Sequence, residues 1–277
     1  MTSMELNNNI FHGADGKESL IDLEIPKCFN GQIIIFIHGF MGFKDWGAWY
    51  LVQHFFTKMG YGFCKFNTTH NGGTISNGID FPDSMSFSRN TYSREIADVK
   101  AVVKWIDQKV DLWTGHLIGH SKGGAIALLS GQSIPFIRSI STWASIASIE
   151  ERFPKGSLLE EWKSNGLRTI KNGRTLQDLP QSIELWEDFQ QNKSNYDLKQ
   201  ICKVCQKPLF ISHGENDTSV SLDNGERLSK WSNTKLNIIE NADHVFQSKH
   251  PWIEERLPHA LKALCERTEK FISISVI

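Results

Sequence analysis

The chain has 277 residues, of which 40% are hydrophobic and 22% charged, and a formal net charge of -1. That length and balance suit one α/β domain with a single large core. A charge so close to zero gives no electrostatic case for nucleic acid or an anionic membrane as partner. No apolar run approaches the roughly 20 residues of a membrane span. The opening MTSMELNNNIFHG has neither a basic nor an apolar signal region, so a cytoplasmic setting is expected. The cysteines, Cys28, Cys64, Cys202, Cys205 and Cys265, are too sparse for a disulfide framework. Cys202-x-x-Cys205 has the spacing of half a zinc site or a redox pair, but no second pair accompanies it. An ordinary helix or loop is expected there, and no metal.

In chain order, residues 9–13 and 18–25 flank Asp15-Gly16, a hairpin signal. LIDLEI alternates, so this hairpin is expected to form a half-exposed antiparallel edge, and Pro26 ends it. QIIIFI at 32–37 is a continuous β-branched run, the pattern of a central strand buried on both faces. His38-Gly39-Phe40 follows at once. A helix is expected over about 46–58 and a short strand over 61–66. A polar loop then runs from 67 to about 90, long enough to be functional or mobile. Ser93, Glu95 and the spacing Ile96, Val99, Val102, Val103, Ile106 predict an amphipathic helix to about 108.

Residues 116–129, HLIGHSKGGAIALL, read as an apolar strand, a tight turn and an immediate helix. Ser121 sits at the apex of Gly119-His120-Ser121-Lys122-Gly123. This G-x-S-x-G arrangement lifts a serine oxygen above the end of a strand, and the helix start aims N–H groups at any oxyanion formed nearby. A strand is expected at about 140–148. Residues 149–206 then break the alternation. They are polar, interrupted by Pro and Gly, and carry aromatic residues at helical spacing. They read as an inserted, mostly helical cap over one edge of the sheet. Strand 208–212, helix 223–231, strand 235–240 and a final helix over about 252–271 complete the chain.

Alternating strands and helices imply a parallel sheet with right-handed crossovers. Such a sheet gathers the carboxyl ends of its strands on one edge. Four segments follow strand ends directly: 38–40, 119–121, 213–219 and 241–246. They give the chain order serine, acid, histidine. Asp217 is the candidate acid, with Glu215 and Asp243 as rivals. His244 is the candidate base, because the other histidines either flank special turns or lack a strand-end setting. In this reading His244 deprotonates Ser121 and Asp217 fixes the ring tautomer. The oxyanion donors are the backbone N–H of Lys122 and that of Phe40, or of Met41 if the loop turns one residue later. The Lys122 side chain reads as a solvated bystander. His70, also just past a strand, either lines the substrate pocket or holds its loop. Trp143 forms an apolar wall of the pocket or packs in the core.

With these segments in place, the chain resembles the α/β-hydrolase superfamily over nearly its whole length, from the HGF turn through GHSKGG and HGENDTSV to NADHVF. It is similar in particular to the dienelactone-hydrolase-like and feruloyl-esterase-like serine hydrolases, with relatives among the acylaminoacyl peptidases. The resemblance implies an α/β-hydrolase fold: one domain over 1–277, an eight-stranded, mostly parallel sheet with helices on both faces, and 149–206 as its cap. It implies a Ser121, Asp217, His244 triad that cleaves a small-molecule carboxylic ester without metal or organic cofactor. A peptidase or amidase would use the same groups. A binding protein on a retired hydrolase fold would be expected to lack one of them, and none is missing.

Overall fold

Asp15-Gly16 closes a hairpin between β1 (Met4–His12) and β2 (Glu18–Ile25), which pair antiparallel. Both turn residues take positive φ, 56° and 69°, as the tightest hairpin turns require. The structure, a computed structural model, describes residues 3–275. The hairpin forms one edge of the sheet, as the alternation in LIDLEI suggested. β1 takes the edge, and β2 is buried along most of its length. Asp22, the polar residue behind the alternation, faces inward and accepts from Lys44 Nζ at 2.8 Å and Lys65 Nζ at 2.7 Å. Asp45 joins the same two ammonium groups. A buried charge is tolerable when it is paired in this way.

The next elements are β3 (Gln32–Ile37), α1 (Trp49–Lys58), β4 (Gly62–Phe66), α2 (Ser84–Ser88), α3 (Tyr92–Asp107), β5 (Thr114–His120), α4 (Lys122–Gly131) and β6 (Ile137–Trp143). The short α2 interrupts the loop after β4. Thr91 caps α3, its side chain accepting from the Arg94 N–H, so the helix begins before Ser93. The insertion holds the expected helices, α5 (Ser157–Asn165), α6 (Glu184–Gln191) and α7 (Leu198–Val204). It also holds an antiparallel hairpin, β7 (Leu167–Lys171) with β8 (Asp178–Ser182). Asn172-Gly173 lies at its turn and is the signal that points to it. Phe153, Trp162, Trp186 and Phe189 pack together beneath the hairpin.

β9 (Leu209–Gly214), α8 (Leu222–Ser232), β10 (Leu236–Ile239) and α9 (His259–Ile274) end the described chain. The sheet has eight strands in the order β1-β2-β4-β3-β5-β6-β9-β10. β2 runs against both its neighbours, and the other pairings are parallel. QIIIFI shows why the run is apolar throughout. Ile33, Ile35 and Ile37 pack on the face covered by α3, α4, α7 and α8, while Ile34 and Phe36 pack on the face covered by α1 and α9.

Asp98, on α3, ties the hairpin tip to the loop after β4. Its carboxyl accepts from the Ala14 N–H at 2.7 Å, the Thr69 N–H at 2.8 Å and the Thr69 hydroxyl at 3.0 Å. Burial pushes this carboxyl up to about 7 against those hydrogen bonds. The folded chain therefore keeps a proton that the unfolded chain releases above its ordinary value of 3.8. The contribution of this group to stability is full below that value and is lost as pH rises through about 7. In urea titrations, the stability advantage of the wild type over Asp98→Asn is expected to shrink between these limits. An advantage that stays constant or grows would mean the carboxyl is ionised throughout.

Candidate active site

Ser121 stands between β5 and α4 with φ 56° and ψ -121°, a region that side chains other than glycine occupy only under constraint. Three close approaches impose it. A Cβ on Gly119 would collide with the Gly123 carbonyl, and a Cβ on Gly123 would collide with the Ile37 carbonyl. Gly39, in the turn after β3, lies against the Ser121 side chain, where an added Cβ would be 3.0 Å from Ser121 Cβ. The Ser121 N–H donates to the Trp143 carbonyl at 2.9 Å, which pins the turn to the end of β6.

The structure brings together Ser121, His244 and Asp217 from distant parts of the chain. His244 Nε2 is 3.0 Å from Ser121 Oγ, and His244 Nδ1 is 2.7 Å from Asp217 Oδ2. The other Asp217 oxygen accepts from the N–H groups of Ser219 and Val220, both at 2.9 Å. His213 donates through Nε2 to the Val220 carbonyl at 2.8 Å and lies 3.2 Å from Asp217 Oδ2. Burial alone would raise the Asp217 carboxyl. The His213 and His244 contacts outweigh it and hold the group far below the usual carboxylate range. The rival acids are engaged in turns: Glu215 accepts from the Asn241 N–H, and Asp243 from those of Val245 and Gln247. His120 donates to the His244 carbonyl at 2.8 Å and so holds the loop that carries the ring. Burial and the nearby His244 lower His120 to about 3, which keeps it neutral.

Among the described residues, no protein group accepts a hydrogen bond from the backbone N–H of Phe40 or of Lys122. Both residues border Ser121, and Lys122 opens α4, where the first N–H groups have no partner within the helix. The alternative residue, Met41, takes φ 54° one step further along the turn.

A cavity of about 310 Å³ lies between Ser121 and the insertion. Phe40, Ile146, Phe153, Ile170, Leu185 and Val220 give it apolar walls. Neither of the two residues weighed for the pocket, Trp143 and His70, is part of it. Trp143 is fully buried in the core, donating to Thr268 Oγ1 at 3.1 Å and packing on Phe36 and Phe246. His70 is buried beside Thr69 and Asp15, where it serves the hairpin tip, and burial lowers it to about 4. The Lys122 side chain is not solvated. It lines the cavity, donates to buried Glu95 at 2.9 Å and lies 4.6 Å from the centre of the Tyr92 ring. Asn90 donates to the same Glu95 oxygen. The reading from sequence missed Glu95, Arg152, Arg168 and Gln181 as residues at this site. The i, i+3 position of Glu95 relative to Tyr92 on α3 was the one available hint. Among the described residues, no group of three His, Cys, Asp or Glu is placed to hold a metal ion, and no helix is long and apolar enough to cross a membrane.

Removing one member of a buried ion pair leaves the other uncompensated. Lys122→Met is therefore expected to lower stability by about 3–5 kcal/mol in urea denaturation. Adding Glu95→Gln is expected to return a good part of that loss. A single variant as stable as the wild type would mean that Lys122 and Glu95 do not pair.

No protein-family profile and no curated protein matches the chain. Solved structures do. Est1E from Butyrivibrio proteoclasticus is 18% identical, with a TM-score of 0.71 over 100% of this chain and 99% of that one. A second Est1E structure, with ferulic acid bound, has a TM-score of 0.72 over 97% and 99% of the two chains, again at 18% identity. A putative hydrolase from Agrobacterium vitis S4 is 16% identical and gives 0.72 over 98% of each chain. The Pyrococcus furiosus esterase Pf2001 is 15% identical and gives 0.64 over 99% and 91%. With its mostly parallel sheet, flanking helices and insertion, the chain has the α/β-hydrolase fold that these proteins share.

Proposed function

We propose that this chain is a serine hydrolase of carboxylic esters that works through an acyl-enzyme on Ser121. The observation that carries the proposal is the hydrogen-bonded series Ser121–His244–Asp217, at 3.0 and 2.7 Å, with the serine held at φ 56°. His244 takes the Ser121 proton as Oγ attacks the carbonyl carbon. The resulting oxyanion accepts from the N–H groups of Phe40 and Lys122. His244 then returns the proton to the departing alcohol. A water, deprotonated by the same ring, attacks the acyl-enzyme and releases the acid and Ser121. Asp217 keeps the proton of the neutral ring on Nδ1, which leaves Nε2 free to accept, and it stabilises the imidazolium. The names of the structural neighbours, esterases, support the same reading, and a cavity of about 310 Å³ suits a small substrate.

Ser121→Ala is expected to cut turnover of p-nitrophenyl esters by about a thousandfold or more. It should also abolish labelling by a fluorophosphonate probe without changing the unfolding midpoint. Labelling that persists at another serine would remove Ser121 from the role. The acid limb of the rate profile gives a second test. Because Asp217 stays ionised far below its ordinary 3.8, its own protonation does not contribute to that limb. The logarithm of kcat/KM is expected to fall with a slope of one down to roughly pH 4. A slope of two would mean that a second group, Asp217 included, protonates in the same range.

A further inference from the structure

The cavity beside Ser121 carries more positive charge than the proposed reaction needs. Lys122, Arg152 and Arg168 all line it, and among the described residues no aspartate or glutamate does. Lys122 is neutralised from behind by Glu95. Among the described residues, the two arginines have no carboxylate within ion-pair distance. Glu151, next to Arg152 in the chain, is held by both terminal nitrogens of Arg227, at 2.8 and 2.9 Å.

Arg168 is also held in position. It projects from β7 with its guanidinium 4.1 Å from the centre of the Trp162 ring. Its Nε and Nη2 both donate to one oxygen, Gln181 Oε1, on β8. Gln181 is itself buried, and its backbone carbonyl accepts from Trp162 Nε1 at 2.9 Å. Two of about five N–H donors are thus used on a neutral amide, and the rest of a rigid fork is left without an anion. Burial lowers the basicity of this guanidinium, with no opposing carboxylate to restore it. A cation stacked, oriented and half-buried without a counter-charge is the arrangement that a carboxylate recognises through charge-assisted hydrogen bonds.

We infer that the cavity takes an ester bearing a second, free carboxylate, received by Arg168 with Arg152 at the rim, while Ser121 attacks the ester carbonyl. The inference rests on the proposed hydrolase reading for its reaction, but not for its binding. The apolar walls hold the carbon skeleton between the two ends. The β7–β8 hairpin, which supplies both Arg168 and Gln181, is then the part of the insertion that selects substrate.

The test uses paired substrates that differ in one charge. p-Nitrophenyl hemiglutarate against its methyl ester places the charge on the acyl side, and 4-acetoxybenzoate against its methyl ester places it on the alcohol side. In at least one pair the anion is expected to be preferred by about tenfold or more in kcat/KM. The preference should weaken with added salt, vanish in Arg168→Gln and fall in Arg152→Gln, an exposed position where folding is not at stake. Calorimetry of 4-acetoxybenzoate and of glutarate on Ser121→Ala gives a readout that needs no turnover. At least one is expected to bind, and Arg168→Gln added to that variant should weaken it about tenfold or more. If neutral esters are hydrolysed at Ser121 with no charge preference in either pair, and neither anion binds, the carboxylate site is wrong and the hydrolase reading stands. If no ester is turned over but an anion binds through Arg168, the site stands and the hydrolase reading falls.

Discussion

The arrangement at the end of the sheet depends on how closely three backbone segments approach one another around Ser121. The serine can hold φ 56° only because Gly119 and Gly123 present no side chains to each other or to the carbonyls after β3. A strained residue persists when its surroundings over-determine it. Here the constraints are the β5 ladder on one side, the first turn of α4 on the other, and the Trp143 carbonyl that accepts the Ser121 N–H. The same crowding brings the turn after β3 against the serine, so that two free N–H groups and one hydroxyl border a small volume. Packing thus supplies the preorganisation that charge alone would not.

Around that turn, the ionisable groups are arranged in layers. Asp217 is fully enclosed and has its lone pairs met by two N–H groups and two imidazoles. It can therefore remain an anion in a place that would otherwise favour the neutral acid. His120 is enclosed without a carboxylate and stays neutral, a donor to the His244 carbonyl. Lys122 and Glu95 form a closed pair beneath the cavity floor. Each of these charges or donors has its match within the protein. Among the described residues, Arg168 and Arg152 have no carboxylate at ion-pair distance, and the contrast with their well-matched neighbours is what singles them out.

Much of this was legible in the sequence, for a physical reason. The turn at Ser121 is governed by local sterics, so its glycines and the helix after it betray it directly. The loops that meet it follow strand ends, and a parallel sheet gathers strand ends by topology, without knowledge of any contact. Features that depend on partners far along the chain were hidden. Asp22 looks like a solvent-facing position until Lys44 and Lys65 are seen beside it. Lys122 looks solvated until α3 brings Glu95 over it. The final helix begins at His259, not near Trp252. Pro258 just before it was the available marker, since proline is favoured where a helix starts.

The insertion is where sequence periodicity was least informative, and that follows from how it is built. Its strands are five residues each, and along β7 the residues alternate between exposed and half-buried. The hydrophobic signal that distinguishes a strand is therefore weak. Asn172-Gly173 was the only strong mark of the turn. Yet this poorly patterned hairpin carries Arg168 on one strand and Gln181 on the other, and their pairing exists only because the register sets those two residues opposite each other. A one-residue slip of either strand would put Arg168 and Gln181 on opposite faces. The proposed recognition is thus tied to strand register in a small peripheral sheet, whereas the proposed chemistry is tied to the central one. The two rest on separate sheets, so on the proposed reading changes in the insertion would alter which substrate is admitted without disturbing the constraints that hold Ser121.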